Sequence, residues 1–430
     1  MGLKKRLKEL EEIVKQQSTI IYDQAKEIVL LRKELEELRG IIKEKSKPDF
    51  VKENIKEEPK ISGQKEGHKG YSRHIPERID EIKPLDSEEC KYCGGKLSGI
   101  QSVRARTVTD IEVKIINAQY IIHGRYCKNC GKTVEPDVND ALPNARFSLK
   151  LMLLIMILKL GMRMPSDKIT EFFQLFGLKI SDGEVYNILN QLREAFGDYY
   201  ETLVKKMQEA AAKHIDETSW RINGQNNWLW IFINKEAALY VIEKQRSSKV
   251  PIEVLGNQEG KFVTTDRHSA YNVLVEETGC LQQVCWTHLI RNSKDLAEHY
   301  REAKYIHKRM KYIYRKTKER KVSKEKFLSW IDLIGSRAYT SKEVFRFVKS
   351  ICRAHREDLF RFIEHPEISP SNNLAEQGIR PAVVIRKVSG GSRSENGAET
   401  TAKLLSVMQT MKMQEGNIIN NLANLLQKAK

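Results

Sequence analysis

The sequence predicts a multidomain α+β protein: an N-terminal coiled coil, a zinc ribbon, a helical domain, and a strand-and-helix core carrying a helical insertion. Three observations predict it. Residues 3–38 hold an unbroken 4-3 apolar repeat, two CxxCG units begin at Cys90 and Cys127, and strand-like runs beyond Lys213 give way to long basic helices. The 430 residues include 74 Lys+Arg against 57 Asp+Glu, a formal net charge of +17. That balance favours an anionic partner, nucleic acid ahead of an acidic membrane. The length rules out a small disulfide-stapled secreted module, and a 40% hydrophobic content supplies at least one large core.

The seam of the first element runs Leu3, Leu7, Leu10, Val14, Gln17, Ile21, Gln24, Ile28, Leu31, Leu35 and Leu38. β-Branched residues fall mostly at a and Leu mostly at d, the pattern of a parallel two-stranded coiled coil about 50 Å long. Gln17 and Gln24 weaken its middle and set the register. Residues 1–44 are therefore expected to pair two or more copies, although an amphipathic helix packed on its own chain fits the same repeat. Residues 45–78, rich in Pro, Gly and charge, read as a linker. The GHKG stretch around His68 and Lys69 is a short match to a phosphate contact. MGLKKRLKEL places charges where a secretory segment needs an apolar run. The longest apolar run, Leu151–Leu158, falls well short of the roughly 20 residues that a bilayer requires. A cytoplasmic protein without membrane contact is expected.

Residues 79–140 contain Cys90, Cys93, Cys127 and Cys130. Two CxxCG turns suit one structural Zn²⁺, because tetrahedral zinc takes four thiolates and each turn directs sulfurs and backbone N–H groups together. Such a site has no open position and performs no chemistry. A redox pair would need only one CxxC, in a thioredoxin-like setting that is missing here. The alternating stretch between the pairs, VRARTVTDIEVKIINAQYIIHGRY, predicts strands. Cys280, Cys285 and Cys352 are expected to be ordinary buried thiols.

Residues 141–210 turn helical. SLKLMLLIMILKLGMRM predicts a buried helix, followed by two shorter ones capped at Ser166-Asp167 and Ser181-Asp182. A helix-turn-helix and plain helical packing both fit. In 211–400, HIDETSW, NNWLWIFINKEAALYVI and KFVTT predict strands, with a hairpin turn at Gly224. Residues 289–365 predict basic helices: between Arg301 and Trp330 twelve Lys+Arg face three Asp+Glu. SNNLAEQG then enters another helix, and after a Gly-rich turn residues 401–430 predict a single C-terminal helix.

Asp216 lies in a strand-like run, Asp266 ends KFVTT, and Glu376 sits at a helix entry. Acids so placed can converge and hold two divalent ions for phosphodiester chemistry; solvated acids at strand ends fit the same pattern. His288 and Arg291, one turn apart after Cys285-Trp286-Thr287, can face a phosphate, or be a packed histidine and a solvated arginine. Arg380, Arg386, Lys387 and Arg393 bring positive charge beside Glu376, suited to DNA phosphates. Gly390-Gly391-Ser392 allows close backbone approach, but no Walker pattern exists to support an ATPase. Asn372 and Asn373 read as caps of the helix carrying Glu376.

HIDETSW, TTDRHSAYNVL, QVCWTHLIRN and NNLAEQGIRPAVVIRKVSGGSRSENGAETTAKLLS, with the two cysteine pairs and GHKG, resemble transposases of the insertion-sequence 66 family, a bacterial DDE-type group. The resemblance spans essentially the whole chain. It implies a ribonuclease-H-like fold for 211–400, a mixed sheet flanked by helices, with Asp216, Asp266 and Glu376 as catalytic acids holding two Mg²⁺ or Mn²⁺. His288, Arg291, Arg386 and Lys387 would support them. The implied function is a DNA transposase that binds the terminal inverted repeats of a mobile element in double-stranded DNA, cleaves there and transfers the freed strand to a target. The ribbon and the helical domain would read the ends, a homodimer or larger assembly through residues 3–38 would pair them, and accessory proteins of the same element are further partners. Arg267-His268 departs from the smaller, glycine-containing turn of relatives. Two other functions share these features. A non-catalytic DNA-binding accessory protein shares the charge, coiled coil and ribbon, and a ribonuclease-H-like nuclease without strand transfer shares the acids.

Overall fold

The computed structural model describes residues 76–319 and 322–428, with scattered positions between 2 and 35. The described positions of the N-terminal segment are helical, and its seam residues Leu10, Ile21, Ile28, Leu31 and Leu35 are exposed. Leu3, Leu7 and Leu38 of the predicted coiled coil, and the GHKG stretch, lie outside the described residues. The chain divides into residues 1–109 and 110–430, each described by itself. Among the described residues no helix is long and apolar enough to cross a membrane.

In the first unit, Cys90 opens a tight turn: Gly94 N–H donates to the Cys90 carbonyl at 2.8 Å, and Cys90 N–H to Gly95 at 2.8 Å. In the second, the strands β1 (Arg125–Cys127) and β2 (Lys132–Val134) form an antiparallel hairpin around Cys127 and Cys130. The strands expected between the pairs are absent: residues 101–124 form none. Val108, Ile111 and Ile116 stand exposed, so the alternation has no apolar partner to bury it.

The helical segment comprises α1 (Leu149–Met156), prolonged by a π turn over Ile157–Gly161, then α2 (Ser166–Leu175), α3 (Asp182–Ala195) and α4 (Gly197–Glu209). Ser181 caps α3 in a reciprocal box with Glu184, as expected. Ser166 does not cap α2. Pro165 occupies the cap position, and the Ser166 hydroxyl instead accepts from Lys159 Nζ at 2.9 Å.

The central sheet follows. β3 (Ala212–Ile222) and β4 (Gln225–Ile233) form the predicted hairpin across Asn223-Gly224, and β5 (Ala238–Glu243) pairs antiparallel with β4. α5 (Lys249–Leu255) leads to β6 (Phe262–Thr265), parallel to β3, and α6 (Ser269–Thr278) leads to β7 (Leu281–Val284), parallel to β6. The order is β5-β4-β3-β6-β7, a mixed five-stranded sheet with helices on both faces. Side chains alternate along β3: Ile215 joins Trp230, Phe232, Leu203 and Leu274 on one face, while Trp220 joins Ile231, Met152, Leu192 and Leu405 on the other. The helical segment thus shares a core with the sheet.

After β7 come α7 (Trp286–His299), α8 (Ala303–Glu319), α9 (Lys324–Gly335), α10 (Lys342–Lys349), a π turn over Ser350–Ala354 and α11 (Arg361–Glu364). These helices enclose their own core around Trp286, Ile306, Met310, Phe327 and Phe360, so the predicted insertion is a packed subdomain. The chain returns to the sheet as α12 (Asn373–Ser389), α13 (Glu395–Lys412) and α14 (Ile418–Lys428). The single C-terminal helix expected over 401–430 is two helices, parted at Gly416 with φ +99°.

Candidate active site

β6 stops at Thr265 while β3 continues, so Asp216 and Asp266 emerge side by side where the parallel half of the sheet ends. Asp216 is half-buried and accepts from the Glu217 amide at 3.0 Å. Burial pushes its carboxyl up to about 7, with Glu217 and Asp266 adding and His288 opposing. Asp266 accepts from the His268 amide at 2.8 Å.

Glu376 reaches this edge from the first turn of α12. The Trp286 amide donates to Pro370 at 2.9 Å, which draws the α12 entry to the end of β7. Asn372 stands at the cap position of α12 but makes no side-chain cap, contrary to the sequence reading. Its side chain donates to the Ile215 carbonyl at 2.8 Å and meets His214 Nδ1 at 3.0 Å, because β3 offers it partners more buried than the helix end. α12 lies close on the sheet: a Cβ on Gly378 would come within 2.6 Å of Ile231 and 2.8 Å of Ile233.

His288, in the first turn of α7, places Nδ1 3.7 Å from Glu376 Oε1. Both atoms are buried without hydrogen-bond partners. The Cys285 thiol beside it raises the imidazole's pKa against the effect of burial, and Glu376 and Asp266 add to the rise. Burial raises Cys285, but His288 and the Asn372 amide outweigh it and lower the thiol overall. Cys285 is thus buried as expected, yet it is no ordinary thiol. Its spacing from His288, three residues along the start of a helix, carried that signal in the sequence.

The predicted cations divide. Arg291, Arg380, Lys387 and Arg393 are exposed, Arg291 one turn after His288 and Arg380 one turn after Glu376. Arg386 lies about 15 Å further along α12 than Glu376 and donates to Thr218 Oγ1 at 3.1 Å and to Ser219. It fastens the helix end to β3 rather than flanking Glu376. The close approach expected at Gly391 is also internal, since a Cβ there would stand 2.3 Å from the Arg221 carbonyl. Arg267 lays its guanidinium over Phe347, 4.7 Å from the ring centre, and donates to Ser350 Oγ at 3.0 Å. On the opposite face of β3, Glu217 is buried and paired with Arg246 at 2.7 Å and with the Tyr271 hydroxyl, a clamp that apolar periodicity does not reveal.

A divalent ion suits this set. Asp216 is a desolvated carboxyl without a neutralising partner, Glu376 Oε1 is an orphaned buried acceptor, and all three acids offer hard oxygen ligands. Among the described residues, Cys285, His288 and Glu376 form a group whose potential ligand atoms all lie within 4.8 Å of one another.

In the two knuckles the first thiol is lowered chiefly by backbone N–H groups: those of Tyr92 and Cys93 for Cys90, and that of Cys130, with its thiol, for Cys127.

Comparison with known proteins places residues 144–400 within the transposase IS66 family. The uncharacterized protein y4qI of Sinorhizobium fredii is 23% identical, an alignment covering 80% of this chain and 71% of that protein.

Proposed function

The chain belongs to the transposase IS66 family, and on that premise we propose that it is a DNA transposase. It would bind the terminal inverted repeats of a mobile element, hydrolyse the strand there to free a 3′-hydroxyl, and join that hydroxyl to target DNA. The observation that supports this reading is that Asp216 and Asp266 emerge side by side from adjacent parallel strands, with His288 close enough to feel the charge of both Asp266 and Glu376. These residues would hold two Mg²⁺ or Mn²⁺. Bound ions of this kind activate the attacking oxygen and stabilise the leaving one.

The remaining residues bind and orient. Asn372 fixes the start of α12 to the strand carrying Asp216, and His288 would support Glu376 as a neighbouring positive charge. Arg291, Arg380 and Lys387 are set on the same elements to meet phosphates, and the basic face of α8 extends that contact. Arg386 acts by holding α12 to β3. The core is of the ribonuclease-H-like kind over 211–400, with 289–365 inserted. Residues 1–44 would pair protomers through the exposed seam, 45–78 link, and 141–210 read DNA ends with the ribbon of 79–140. One Zn²⁺ would be held by Cys90, Cys93, Cys127 and Cys130, and backbone N–H groups already favour the thiolates of Cys90 and Cys127. The setting is cytoplasmic, with accessory proteins of the same element as further partners.

Asp216→Asn is expected to abolish Mg²⁺-dependent nicking of DNA bearing the element's ends while leaving DNA binding within a few-fold of the parent. Cleavage at the parent rate would refute the assignment.

A further inference from the structure

Cys285, His288 and Glu376 bring together a sulfur, an imidazole nitrogen and a carboxylate oxygen, a donor set unlike the all-oxygen set proposed for catalysis. Zn²⁺ binds such ligands at about 2.3, 2.0 and 2.0–2.2 Å, which puts tetrahedral ligand atoms roughly 3.3–3.6 Å apart. His288 Nδ1 and Glu376 Oε1 are already 3.7 Å apart, and all three donors lie within 4.8 Å of one another. An inward movement of roughly 1 Å would bring donors at that separation to the spacing of a zinc sphere.

Two further observations point to a ligand. Buried polar atoms are almost always hydrogen-bonded, yet His288 Nδ1 and Glu376 Oε1 are both buried and both unpaired. Each side chain is nevertheless about a quarter exposed, 26% for His288 and 25% for Glu376, so an ion can reach the group. Cys285 also sits at the N-terminal cap position of the fourteen-residue helix α7, where the helix end favours a thiolate.

We propose that Cys285, His288 and Glu376 form a cation site of their own, selective for a thiophilic divalent ion such as Zn²⁺, whose occupation withdraws Glu376 from the Mg²⁺ set and inhibits cleavage. Thiolate and imidazole select zinc over magnesium, and three protein ligands leave a fourth position for water. The inhibitory half of the proposal rests on the catalytic reading of Glu376 given above; the binding half does not.

Co²⁺ is the probe, titrated into the full-length protein after its metal has been removed by chelation and followed by absorption. The parent is expected to show a thiolate-to-cobalt band that Cys285→Ser lacks, and His288→Gln is expected to weaken Co²⁺ binding at least about tenfold. The ribbon cysteines are present in every variant, so the difference between spectra isolates Cys285. Serine keeps an acceptor for the Asn372 amide, and His288→Gln decides the matter if Cys285→Ser folds poorly. Parent-like titration of the variants overturns the site. In Mg²⁺-driven cleavage, Zn²⁺ should inhibit the parent at a concentration at least about tenfold below that needed for Cys285→Ser, and equal sensitivity overturns the inhibitory role. A Glu376→Gln protein that cleaves at the parent rate would instead refute the catalytic assignment, leaving the Co²⁺ result standing.

Discussion

The side-chain amide of Asn372 donates to the carbonyl of Ile215 at 2.8 Å, one residue before Asp216 and at the entry of the helix that carries Glu376. One buried amide thereby ties two of the three proposed catalytic acids together. Asn372→Ala leaves His214 and the Ile215 carbonyl unpaired, so a loss of about 1–3 kcal/mol is expected in urea denaturation. Cleavage should fall roughly tenfold or more, because small displacements of reacting groups are costly.

Mg²⁺ held as proposed would bind only the folded site, and it should therefore raise the thermal midpoint of the parent by a few degrees. Asp216→Asn and Glu376→Gln should each remove most of that gain. The comparison is a thermal scan with and without Mg²⁺, and a full shift in both variants counts against the assigned ligands.

Gly391 has φ +109°, and a Cβ on it would stand 2.3 Å from the Arg221 carbonyl. The same segment exchanges backbone hydrogen bonds with β3, Ser392 to Arg221 at 2.8 Å and Asn223 to Ser392 at 2.9 Å. Gly391→Ala is expected to cost about 2–4 kcal/mol. At Gly390 the added Cβ meets open space, so Gly390→Ala should cost only about 1 kcal/mol. Equal effects in chemical denaturation would contradict this account.

Lys213 is buried at the start of β3, donating to Gln258. Burial, with Lys261 nearby, pushes its ammonium down to about 7, whereas the unfolded chain titrates near its ordinary value of about 10.4. The unfolded state therefore holds more protons between these values, and stability rises with pH through that window. Below about pH 7 the full cost of the buried charge is present. Lys213→Met should flatten this rise and stabilise the protein by about 1–2 kcal/mol at pH 6, read from urea midpoints at pH 6 and pH 9.

Removal of residues 1–40 should reduce self-association in sedimentation while leaving zinc content unchanged. A truncated protein as dimeric as the parent would place the main interface elsewhere.

Much of the core was legible because NNWLWIF and KFVTT are apolar runs that form β4 and β6, with Asp266 just past the end of β6, while HIDETSW forms β3 and carries Asp216 in its middle. The basic insertion was legible from charge alone. What escaped depends on partners distant in sequence. Val108 and Ile111 alternate as strand residues do, yet no element covers them. Ser166 has the chemistry of a cap, but Pro165 takes the place and Lys159 takes the hydroxyl. Asn372 prefers the buried groups of β3 to its own helix, and Arg386 and Gly391 serve that strand rather than DNA. Cys285 looked inert because burial alone would make it so; the histidine one turn on reverses its character.

The helical insertion between β7 and α12 also sets an order in time. On the ribosome, Asp216 and Asp266 emerge while the third acid is still unsynthesised, and a whole subdomain with its own core must follow before Glu376 appears. A nascent or prematurely ended chain would thus carry the basic helices but only two of the three carboxylates. If the proposed chemistry holds, such a chain would grip DNA without cutting it, so the layout of the fold would delay cutting until the whole insertion and Glu376 have been made.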